Sequence, residues 1–181
     1  MKIGGIVIGR VFLLALLLFG GAGGVRAEEI SQEYQLKLAF MVNFARFITW
    51  PEASFSPDQS QVTLCLFDKN PFGKALAGVV GKKVGDRALA VKTIEALGKE
   101  QQCHLLFVDQ PELAALVDLN TSLHHQPVVT VSDLEGFAAS GGGIEFVLKN
   151  DKLSFIINNT ALKEQGVQVG SSLLNLAASV R

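Results

Sequence analysis

The stretch from Ser31 to Trp50 constrains this chain more than any other. Ser31 can cap a helix, nothing in the residues that follow breaks one, and Pro51 stops it. Tyr34, Leu38, Met41, Phe44, Ala45 and Ile48 recur at helical spacing, and Leu36, Phe40 and Phe47 form a second apolar stripe. Lys37, Asn43 and Arg46 keep a polar edge. A helix this apolar must be covered on more than one side, by the rest of its own chain or by another.

The segment in front of it reads differently. Met1 to Ala27 has a secretory signal pattern: Lys2 and Arg10 in a positive opening, a short apolar run from Val11 to Phe19, and Val25-Arg26-Ala27 at the cut. An uncleaved anchor is the alternative, but the apolar run is short for a bilayer. No Cys stands near the cut, which argues against a lipoprotein. Taking Lys2, Arg10 and Arg26 away leaves 13 Lys+Arg against 17 Asp+Glu, a net of -4. The expected product is one exported domain, residues 28–181, located in the periplasm and not itself membrane-spanning. Its mildly acidic balance argues against a nucleic-acid binder. With 49% hydrophobic and 18% charged residues the chain is no disordered tail.

After the polar loop 54–61, β-branched and alternating runs begin. Strands are expected at Val62–Asp68, Ala88–Ile94, His104–Asp109 and Pro127–Val131. Between them stand short helices at Phe72–Val80, Pro111–Leu119 and Leu134–Ala139, with a helical turn at Ile94–Glu100 and a basic glycine-containing loop over Gly81–Arg87. Ile144–Lys149 and Lys152–Asn158 form a hairpin around Asn150-Asp151. Helices over Asn159–Gln165 and Ser171–Val180 close the chain. The alternation predicts an α/β fold: a central mixed, mostly parallel sheet flanked by helices, with a C-terminal β-hairpin and helices.

Export changes how Cys65 and Cys103, the two cysteines, are read. In an oxidising compartment an even count suggests a disulfide. Closing a loop of about 39 residues is worth up to roughly 4 kcal/mol in the chain-entropy model. A free thiol pair or a metal site are the alternatives, and the spacing favours neither.

A catalytic set is hard to find. His104 opens a buried strand and reads as a core histidine, while His124-His125 sits in a polar loop with no set of metal ligands around it. There is no G-x-S-x-G elbow. Gly141-Gly142-Gly143 precedes a strand instead of opening a helix, so it reads as a turn and not a phosphate cradle. Asp68, Asp109 and Asp133 lie at strand ends, where open α/β sheets hold ligands, but without a base or nucleophile beside them they read as turn and cap residues. No cofactor and no metal are expected. By elimination the reading is a binding or regulatory protein, not an enzyme.

Six motifs, in order, resemble one family. Leu38-Ala39-Phe40-Met41-Val42-Asn43-Phe44-Ala45-Arg46-Phe47-Ile48-Thr49-Trp50-Pro51 resembles the opening helix of the YfiR-like periplasmic regulators. Leu64-Cys65-Leu66-Phe67 with Asn70-Pro71-Phe72-Gly73, and Cys103-His104-Leu105-Leu106-Phe107-Val108, are similar to its two cysteine segments. Gly142-Gly143-Ile144-Glu145-Phe146-Val147, Leu153-Ser154-Phe155-Ile156-Ile157-Asn158 and Ser171-Ser172-Leu173-Leu174-Asn175-Leu176-Ala177 resemble its last three. The resemblance implies an α/β fold, frequent dimerisation, and a cysteine pair where Cys65 and Cys103 stand. It also implies repression of an inner-membrane, YfiN-like diguanylate cyclase through that enzyme's periplasmic sensor domain, lowering cyclic-di-GMP and biofilm formation. Better-known members have a second disulfide. This chain has no further cysteine, so a redox role resting on that bond does not transfer. Where the family often has Glu in its R-F-E-I-N strand, this chain has Ile156.

The expected partner surface lies around Phe146, Ile156 and Leu162, with a homodimer contact on the first helix. The competing reading is a periplasmic small-ligand-sensing module acting on another membrane sensor, such as a histidine kinase. Lys82, Lys83 and Arg87 are its basic cluster.

Overall fold

The computed structural model describes residues 24–55, 60–95, 102–109, 118–119, 121–123 and 125–181. Helix α1 (Gly24–Phe47) is the first element among the described residues. No proline or glycine interrupts it after Gly24, so Ser31 lies inside the helix and is not its cap. The helix also stops earlier than expected. Ile48–Thr49 (β1) leave it to pair antiparallel with Gln168–Val169 (β9).

The eight-stranded sheet follows the order β10-β8-β7-β6-β5-β2-β4-β3. Its strands are β2 (Val62–Phe67), β3 (Lys83–Val84), β4 (Arg87–Ile94), β5 (Leu105–Val108), β6 (Val129–Ser132), β7 (Ile144–Lys149), β8 (Lys152–Ile157) and β10 (Ser179–Val180). Neighbours are parallel except β7–β8 and β3–β4. The expected mostly parallel α/β sheet is therefore present.

The central strands β2, β5 and β6 are buried along almost their whole length because both faces are covered, and their polar residues are the buried Thr63, Thr130 and Ser132. Leu64, Leu66, Leu105 and Phe107 face the large core under α1, with Met41, Phe44, Phe146 and Phe155. The alternating residues Cys65, Leu106 and Val108 face a smaller core with Cys103, Leu119 and Leu123. Cys65 and Cys103 are disulfide-bonded in that second layer, with Cα atoms 5.7 Å apart.

Several local expectations change. The basic loop over Gly81–Arg87 contains the two-residue strand β3, folded back on β4. Phe72–Val80 forms a 3-10 helix over Gly73–Gly78, after the Asn70 side chain accepts the backbone N–H groups of Phe72 and Gly73. Leu134–Ala139 is a series of turns, not a helix. There the Glu145 carboxylate accepts the N–H groups of Gly136 and Ala138, and Gly136 has a φ of 80°.

The C-terminal helix is also shorter than expected. After α2 (Asn159–Glu164) comes α3 (Ser171–Leu176), which ends as Ala177 turns extended. Ser179–Val180 then add a parallel strand to β8, whose outer backbone groups would otherwise lack partners. The helix expected over Pro111–Leu119 lies mostly outside the described residues, as does most of the turn over Ile94–Glu100. The Asn150-Asp151 hairpin forms as expected, with both residues at positive φ.

Candidate interaction site

The C-terminal ends of β5 and β6 face α1 across a polar network. The Tyr34 hydroxyl donates to Asp109 Oδ1 at 2.9 Å, and the Lys37 ammonium donates to Asp133 Oδ2 at 2.6 Å. Lys37 also pairs with Glu33 one turn earlier and lies 4.6 Å from the centre of the Tyr34 ring. Burial raises the Tyr34 pKa, and the Asp109 carboxylate adds to the rise. For Lys37, burial alone would favour the neutral amine, but hydrogen bonds to Asp133 and Glu33 outweigh it and the pKa rises. Asp109 and Asp133 thus hold α1 over the sheet. Asp68, the third strand-end carboxylate, is exposed at a φ of 64°.

Beside this network lies the β7–β8 hairpin. β6 pairs with β7 only at Ile144 and Glu145, so the hairpin runs past the end of the sheet and leaves the β7 edge open from Phe146 onward. A groove of about 600 Å³ opens there. Phe146, Leu148, Leu153 and Ile156 give it an apolar wall, the exposed Glu33 and Glu135 give it an acidic rim, and Asp133 and Glu145 lie below, held by Lys37 and by the Gly136 and Ala138 N–H groups.

The three residues expected at a partner surface have different exposures. Phe146 is buried, stacked on Phe44 at 5.7 Å and edge-on to Phe40. Leu162 is 0% exposed in the core, under Gly143. Ile156 is half-buried in the groove. Leu148, 74% exposed, is the most open apolar side chain of the hairpin, and sequence reasoning passed over it because the strand pattern points it to the core face. In the sequence Lys37 is an edge residue and Tyr34 a stripe residue of the helix. Their half-buried partners lie 96 and 75 positions away, beyond any local signal.

His104 is a core residue, 1% exposed. Its Nδ1 accepts the Thr63 N–H at 3.0 Å, its carbonyl accepts the Trp50 indole N–H, and Phe55 stacks on its ring at 4.5 Å. Burial pushes its pKa down to about 4; the Ser54 backbone opposes the shift, while Arg87 and Lys92 assist it. Arg87 is held elsewhere than in a basic cluster: it pairs with Glu52 at 2.8 Å and lies over Phe55. His125 is exposed, and His124 lies outside the described residues. Among the described residues no metal-ligating group of three or more side chains assembles, and no helix is long and apolar enough to cross a membrane.

Gly142 and Gly143 have a packing role. A Cβ on Gly142 would fall 2.2 Å from the Phe137 ring, and one on Gly143 would fall 2.9 Å from the Thr130 carbonyl oxygen. The Gly143 N–H donates to the buried Thr130 hydroxyl.

A family model described as YfiR/HmsC-like matches residues 34–178, most of the chain. A search of curated proteins finds no match.

Proposed function

The chain belongs to the YfiR/HmsC-like family, and from that membership we propose that it is a non-enzymatic periplasmic regulator. It binds the periplasmic sensor domain of a YfiN-type inner-membrane diguanylate cyclase and holds the enzyme inactive, lowering cyclic-di-GMP and biofilm formation. The family match over residues 34–178 carries this reading. The buried Cys65–Cys103 bond suits an oxidising compartment, in keeping with export through a signal peptide over residues 1–27.

Such a regulator acts by differential binding, because it favours the inactive state of the sensor only to the extent that it binds that state more tightly. The hairpin groove is a suitable contact. Ile156 and Leu148 offer apolar surface, and the acidic rim favours a basic partner segment. Phe146 and Leu162 support that surface from beneath. The working form is a homodimer, and Leu36 and Phe47 are exposed large apolar residues of α1 available to it.

The test is a pull-down of tagged protein from crosslinked membranes, paired with cyclic-di-GMP levels in a deletion strain. Recovery of a cyclase with raised cyclic-di-GMP is the expected result. Recovery of a different sensor with cyclic-di-GMP unchanged would reassign the pathway.

A further inference from the structure

The side of α1 turned away from Lys37 forms one wall of a second cleft, about 910 Å³ in volume. The opposite wall is the 3-10 segment that follows Pro71. Leu38, Val42, Phe72 and Val79, all buried, give the cleft an apolar floor. Arg46, Lys74 and Lys82 stand on its rim, and no carboxylate lines it. Among the described residues none of these three cations has an ion-pair partner; the polar contact of Arg46 is with the neighbouring Asn43 amide at 3.3 Å. The chain as a whole has a slight acidic excess, so a cleft lined by cations alone departs from its average surface. Its volume is that of a site for one small molecule, and unpaired cations above an apolar floor focus positive potential into it.

We propose that this cleft binds a small amphipathic organic anion, with an apolar ring system on the Leu38–Phe72 floor and a carboxylate, sulfonate or phosphate held by Arg46, Lys74 and Lys82. The inference rests on the cleft alone and does not depend on which membrane protein the chain regulates. Gly78 lines the cleft, and a Cβ there would meet no atom within 4 Å, so this position accepts a side chain without displacing a neighbour and serves as a probe of the cleft.

A matched pair of fluorescent probes tests the proposal on the purified protein: 8-anilinonaphthalene-1-sulfonate and its neutral counterpart N-phenyl-1-naphthylamine. The sulfonate is expected to bind at least about tenfold more tightly than the neutral probe, and more weakly as salt rises. The exposed double variant Lys74→Glu/Lys82→Glu should weaken the sulfonate by about tenfold or more and leave the neutral probe and the unfolding temperature unchanged. Gly78→Leu should block both probes, again without a change in unfolding temperature. Equal affinity for the two probes, indifference to the charge reversal, or full sulfonate binding by folded Gly78→Leu would each overturn the proposal.

Discussion

Lys37 and Asp133 meet at 2.6 Å across 96 residues of sequence, with only 4% and 12% of their side chains exposed. The contact fastens the first helix to the end of β6. Losing Lys37 leaves the Asp133 carboxylate, 12% exposed, without its cation, whereas Lys37 would keep Glu33 if Asp133 were lost. Lys37→Met is expected to destabilise the fold by about 3 kcal/mol, and Lys37→Met/Asp133→Leu to recover most of that loss. Urea unfolding of the two variants checks this, and an unchanged midpoint for Lys37→Met would contradict a fastening role.

The Cys65–Cys103 bond is enclosed in the smaller core, with Cys65 0% and Cys103 7% exposed. Replacing both by Ala should cost about 2–4 kcal/mol. Partner capture should persist at temperatures where the variant stays folded. Loss of capture by a fully folded variant would instead make the bond a switch.

His104 ties stability to acidity. Its folded pKa of about 4 lies below its ordinary value of 6.5, so the unfolded chain binds the proton more readily. Its contribution is complete above about pH 6.5 and is lost as pH falls toward 4, by about 3 kcal/mol at most. Denaturation curves at stepped pH should show the fall in the native protein and a shallower one in His104→Gln. Equal slopes would remove His104 from the account.

Glycines at two places should respond oppositely to alanine. Gly143→Ala drives a methyl against the Thr130 carbonyl and Leu162 Cδ2, at 2.9 and 2.8 Å, and should cost about 1–3 kcal/mol. Gly78→Ala enters open space and should leave the unfolding temperature unchanged or slightly raised. Calorimetry of the pair decides the matter.

The hairpin separates surface from core. Ile156→Lys and Leu148→Glu should leave the fold intact, within about 0.5–1 kcal/mol, and weaken capture of the membrane partner. Leu162→Glu places a charge at a site with 0% exposure and should abolish folding instead. Full repression by a folded Ile156→Lys/Leu148→Glu variant would exclude the groove.

Much of the fold could be read locally. The apolar runs of β2 and β5 predicted strands covered on both faces, and Asn150-Asp151 predicted a tight hairpin. The errors share a cause. Leu134–Ala139 lacks a helix because Glu145 captures its N–H groups, and Ser179–Val180 form a strand because β8 needs a neighbour. A helical period counts apolar spacing, and it registers neither a carboxylate that takes up backbone N–H groups nor a strand edge distant in sequence.

By itself the sequence determined the main strands β2 and β4 to β8 in their order, the covered first helix, the cysteine pair and the family motifs. These depend on side-chain periodicity and residue identity over short spans. Only the tertiary structure decided that Lys37 meets Asp133 and Tyr34 meets Asp109, that Arg87 turns to Glu52, and that Arg46, Lys74 and Lys82 share a cleft. Charged and polar side chains choose partners by proximity in space. That proximity exists only after the apolar faces of the helix and sheet have been buried together.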